Sequence, residues 1–114
     1  MEPDFAFRWE RVEAFFREKF GKPQTTEAIL FLIGMRELGS APREFTKEEK
    51  RDLMHMALCR LLSQMGFYEL EYVDAEGWAH WRELKPLPHT DIFSQEHLLR
   101  TLIVEYFETE AILV

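Results

Sequence analysis

The 114 residues carry 14 Lys and Arg against 21 Asp and Glu, a net charge of −7, and 46% of them are hydrophobic and 14% aromatic. So much apolar material excludes disorder through lack of burial, the length fits a single domain over residues 1–114, and the charge opposes sequence-independent binding to phosphate backbones. A single cysteine, Cys59, excludes an intramolecular disulfide framework and suits a reducing, cytoplasmic compartment. The charge is uneven. Residues 1–66 hold 11 basic and 11 acidic side chains, whereas residues 67–114 hold 3 and 10, so the whole net charge belongs to the C-terminal part.

The first helix is expected over residues 5–20. Asp4 stands at its cap, Phe5, Trp9, Val12, Phe16 and Phe20 share a face, and Gly21 stops it. Its charges break every short apolar run, so neither a signal peptide nor a membrane span is expected. After Lys22-Pro23-Gln24, Thr25 or Thr26 caps a second helix that ends at Leu38 before Gly39. Its stretch from Ala28 to Ile33 is apolar nearly all round, which predicts the most buried helix of the chain.

Thr46-Lys47-Glu48-Glu49 has the spacing of a capping box, so a third helix starts there and runs to about Met65. Its predicted core face is Leu53, Met54, Ala57, Leu58, Leu61, Leu62 and Met65. Residues 67–84 then alternate with a period of two, FYELEYV, DAEG, WAHWREL, which predicts a hairpin with a four-residue loop. In that register Val73 faces Trp78, Tyr72 Ala79, Glu71 His80, Leu70 Trp81 and Glu69 Arg82. A two-stranded sheet is marginal in water, so the Tyr68, Leu70, Tyr72 and Trp81 face needs helices or another chain to cover it. Pro86 and Pro88 end the second strand, and a fourth helix follows from about Ser94 or Gln95 to Glu108. The fold class is therefore α+β, mostly α, with four helices and one β-hairpin between helices three and four.

Chemistry-bearing residues are sparse. On helix three Glu48, Asp52, His55 and Cys59 fall in one stripe that the pattern places away from the core. His55 and Cys59 at i and i+4, with Asp52 one turn before, are weak candidates for a metal or thiol site and define one alternative function, a small metal- or thiol-dependent enzyme. A mid-helix thiol lacks the helix N-terminus or oxyanion donors that activate a nucleophile, so no catalytic residue and no cofactor is assigned. Three helices and a hairpin also outline a winged helix. The acidic start of helix three and the acidic loop Asp74-Ala75-Glu76-Gly77 oppose a DNA-binding reading.

Association remains as the first expectation. Met56, Val73, Trp78 and the apolar tail Ile112, Leu113 and Val114 are the candidate interface residues, for a protein partner or for self-association as a homodimer. Phe45-Thr46-Lys47-Glu48-Glu49-Lys50-Arg51-Asp52-Leu53-Met54-His55, with Gly66 to Leu70, Glu76 to Trp81 and Leu98 to Phe107, resembles a family of small uncharacterised bacterial proteins. The resemblance covers about residues 45–107. It implies a bacterial cytoplasmic origin and brings no activity, cofactor or catalytic residue with it.

Overall fold

A computed structural model of the chain describes residues 4–41, 43–86 and 92–112. In chain order the elements are α1 (Phe5–Phe20), α2 (Thr26–Leu38), α3 (Lys47–Ser63), β1 (Tyr68–Val73), β2 (Ala79–Glu83) and α4 (Ile92–Thr109). The fold is mostly helical, with four helices and an antiparallel two-stranded hairpin between the third and the fourth. No helix among the described residues is long and apolar enough to cross a membrane.

Local chemistry sets the helix ends. At α3 the Thr46 hydroxyl accepts from the Glu49 amide at 3.1 Å, and the Glu49 carboxylate accepts from the Thr46 amide at 2.9 Å. Two orphan donors are satisfied reciprocally, which fixes where the helix begins. The Thr46 amide, followed by Arg43, holds the Glu49 carboxyl below its usual range. Asp4 does occupy the N-cap of α1, yet its side chain makes no capping bond. α4 begins at Ile92, ahead of the predicted start.

The chain divides into two compact units, Met1–Thr26 with His89–Val114, and Glu27–Pro88. In the first, α1 buries Trp9, Val12 and Phe16, and α4 buries Leu102, Ile103, Val104, Tyr106 and Phe107. Phe107 meets Phe15 and Phe16 edge to face, with ring centroids 5.7 and 5.6 Å apart. Arg8 clamps Glu108 through two hydrogen bonds of 3.1 and 2.7 Å, which holds that carboxyl below its usual range.

In the second unit α3 carries the core. Phe45, Leu53 and Met56 form a buried cluster, against which Phe31, Met35 and Leu38 pack from one side and Trp78, Ala79 and Trp81 from the hairpin. α2 meets α3 closely at Gly34, where a β-carbon would lie 2.3 Å from the Leu53 carbonyl oxygen. As its nearly all-round apolar run leads one to expect, α2 leaves only Glu27 and Arg36 of its thirteen residues exposed, whereas α3 buries six of its seventeen and exposes six. The hairpin packs on a second flank of α3 that the sequence pattern assigned to solvent.

The hairpin register departs from prediction at one residue. Tyr68 pairs with Glu83, Glu69 with Arg82 and Leu70 with Trp81, but beyond a bulge between Leu70 and Tyr72 the partners shift, Tyr72 to His80 and Val73 to Ala79. The turn causes this. The Asp74 carboxylate accepts from the amides of Glu76 and Trp78 at 3.0 Å each, while the Asp74 amide donates to the Trp78 carbonyl at 2.9 Å. Asp74 and Trp78 thus close a three-residue loop whose last residue, Gly77, takes φ +93°, the left-handed conformation such loops require. One extra residue at Glu71 absorbs the mismatch with the outer pairs.

Candidate functional site

The loop and the bulge together shape one wall of a cleft in the second unit. The cleft, of about 580 Å³, opens between α3 and the hairpin, a size within the range of ligand pockets. Asp52, His55, Met56 and Cys59 come from α3, and Glu71, Tyr72, Asp74, Trp78, Ala79, His80 and Trp81 from the hairpin. The sequence had singled out the α3 wall. It gave no reason to bring Glu71, Tyr72, Asp74 and His80 opposite, because that wall depends on the bulge.

Helical periodicity misplaced Met56 and left the burial of Cys59 open. Met56, an expected interface residue, is only 3% exposed, and Cys59, on the flank that the pattern set away from the core, only 2%. Both are covered because the hairpin lies over them: the Ala79 amide donates to Met56 Sδ at 3.3 Å. Trp78 is half-buried, packed against the Phe45, Leu53 and Met56 cluster. Val73 stands where the expectation put it, exposed on β1. Ile112 is half-buried, its amide bonded to the Phe107 carbonyl at 2.9 Å, and Leu113 and Val114 lie outside the described residues.

His55 Nε2 does come to 3.6 Å from Cys59 Sγ, as their i, i+4 spacing allows. The thiol is nonetheless pushed up to about 11, by burial first and by the Glu83 carboxylate second. It stays protonated near neutral pH, the opposite of what an attacking thiolate needs. Among the described residues no three His, Cys, Asp or Glu side chains converge as a metal site, so Asp52 does not join His55 and Cys59 in one coordination sphere.

On the hairpin wall, His80 Nε2 lies 2.9 Å from the Asp74 carboxylate. The shifted register also places the His80 ring flat on Tyr72, with centroids 4.4 Å apart and planes 7° from parallel. The bond to His80, then the Trp78 and Glu76 amides, hold the Asp74 carboxyl below its ordinary 3.8. A depressed carboxyl contributes stability that is complete above 3.8 and is lost as pH falls through the lower, folded-state value. Acid therefore loosens this loop. In a titration followed by NMR, the Glu76 and Trp78 amide signals should move with a midpoint below 3.8, and Asp74→Asn should abolish that movement. A midpoint at or above it would show that the loop does not hold the carboxylate.

The cleft thus joins acidic groups and flat aromatic faces. Asp52, Glu71 and Asp74 are its carboxylates, His55 and His80 its imidazoles, and no Lys or Arg stands among its described lining residues. Beside it Leu70, Tyr72 and Val73 of β1 are 50%, 53% and 55% exposed, so half of a six-residue strand offers apolar surface to water. No protein-family model matches the chain, and neither does any curated protein or solved structure.

Proposed function

We propose that the chain is a non-enzymatic protein-interaction module whose contact surface is the outer part of the hairpin. The observation that carries this reading is the exposed run Leu70, Tyr72 and Val73 on β1, in a hairpin where residues 67–86 hold five carboxylates and two basic groups. Scattered exposed hydrophobics are ordinary, but the bulge resets the alternation so that Leu70 and Val73 share one face of β1, opposite Trp81 and Ala79, while Tyr72 lies with His80 on the other. The bulge at Glu71 interrupts β1 as a template for strand addition, so side chains rather than backbone make the contact.

Charge selects the partner. Two copies meeting hairpin to hairpin would bring like charges together, whereas a basic, apolar segment of a different chain would be attracted and correctly oriented. The module therefore binds a basic protein segment, and the charge field makes that binding weaken with salt.

The test is calorimetry of the full chain with a synthetic peptide alternating arginine and valine, and with its glutamate counterpart. The arginine peptide should bind and the glutamate peptide should not, and Leu70→Ser with Val73→Ser should weaken binding about tenfold or more, the loss expected of two central apolar contacts. Equal binding of both peptides would sink the reading. So would a mass that doubles with concentration in light scattering and reverts in the same double variant, because the surface would then be a homodimer contact.

A further inference from the structure

We infer that the cleft between α3 and the hairpin is the specificity pocket of this surface, receiving one arginine side chain of the partner between the carboxylates of Asp52, Glu71 and Asp74 and the aromatic faces of Tyr72, Trp78 and Trp81. The inference rests on the interaction reading and adds what that partner must present.

Three observations select arginine. Acidic groups outnumber basic ones in the cleft, since its described lining includes three carboxylates, the two imidazoles of His55 and His80, and neither Lys nor Arg. Asp74 is also held as a carboxylate by its bonds to His80 and to two loop amides, which lower its pKa and fix its place on the cleft wall.

The walls, moreover, are flat. Tyr72 is held by the His80 ring stacked 4.4 Å away, and Trp78 and Trp81 are fixed by packing against the core cluster. Planar, fixed rings attract a cation over their faces, and a planar guanidinium stacks on them while its forked N–H groups reach carboxylates. A lysine ammonium has the charge without the plane. Finally, the cleft adjoins the exposed strand, because Trp81 and Ala79, the cross-strand partners of Leu70 and Val73, line it. A chain lying over Leu70 and Val73 would need only one side chain turned inward to fill the cleft.

The test titrates N-acetyl-arginine amide into the full isotope-labelled chain and follows the three indole N–H signals by NMR. Trp78 and Trp81 should shift saturably, while Trp9, in the other unit, should not move. N-acetyl-lysine amide should bind several-fold more weakly. Asp52→Asn with Glu71→Gln, both at exposed positions, should lower arginine affinity about tenfold.

Equal shifts at Trp9, unaltered affinity in the double carboxylate variant, or putrescine binding as tightly as arginine amide would each overturn the inference, the last because it would assign the cleft to free amines. The two readings fail separately. Binding of the arginine-valine peptide with still indole signals overturns the pocket alone, and binding of arginine amide by a chain that ignores the peptide overturns the interaction surface.

Discussion

Gly34→Ala should destabilise the second unit by about 3 kcal/mol, the upper end of what overpacking a well-filled core costs. Two effects oppose each other at this position. In a helix interior alanine is favoured over glycine by about 1 kcal/mol, so α2 taken alone would gain from the change. The added β-carbon, however, would sit 2.3 Å from the Leu53 carbonyl oxygen, 2.8 Å from its carbonyl carbon and 2.9 Å from its β-carbon. Those atoms belong to backbone, or lie directly on it, in the middle of α3, and they cannot swing aside as a long side chain would. Relief requires the two helices to separate, which opens the packing of Phe31, Met35 and Leu38 on Phe45, Leu53 and Met56. Steric cost therefore exceeds the propensity gain. In urea the unfolding midpoint should fall by about 1–3 M at the slope usual for small domains. A midpoint that is unchanged or raised would show that the helices do not approach so closely.

That contact is also a measure of what a sequence can reveal. Helix ends were legible because their signals are local: the Thr46 and Glu49 box, Gly21 after α1 and Gly39 after α2 act within one turn, and each stands where it was expected. The order of four helices and a hairpin followed from the change of hydrophobic period at residue 67. Gly34 reads in the sequence only as a small residue in an apolar run, and nothing local says that another helix's backbone passes over it. The candidate site divides in the same way. His55 and Cys59 were placed together correctly by helical spacing, but spacing could not tell which flank of α3 the hairpin would cover, so Met56 was assigned to the wrong environment and the burial of Cys59 was left open. The opposite wall depends on a bulge of one residue, and moving the loop closure from Val73 and Trp78 to Asp74 and Trp78 turned Tyr72 onto His80. The sequence does contain a signal for that loop, an Asp four residues before a Trp with Gly between them, but it is recognisable only through the hydrogen bonds the carboxylate makes.

Met56→Ala should cost about 2–5 kcal/mol, as truncation of a buried methionine generally does. The surface reading of this residue predicts less than about 0.5 kcal/mol, so one denaturation experiment separates the two. Met56 is 3% exposed, belongs to the central cluster with Phe45 and Leu53, and accepts the Ala79 amide on its sulfur at 3.3 Å. It is thus the point at which α3 holds the hairpin. Truncation removes the packing and leaves a strand amide without its acceptor, whereas Met56→Leu keeps the volume and loses only the acceptor. Leucine should accordingly cost about 1 kcal/mol, the net worth of an ordinary hydrogen bond. Amide exchange locates the effect: in Met56→Ala, exchange at Ala79 and its strand neighbours should quicken more than in α3, because the hairpin opens locally before the unit unfolds. The same opening moves Trp78 and Trp81 away from Asp52, so arginine amide should bind Met56→Ala more weakly than Met56→Leu. Equal affinity in both variants, alongside the expected loss of stability, would mean that the cleft does not depend on how the hairpin is seated.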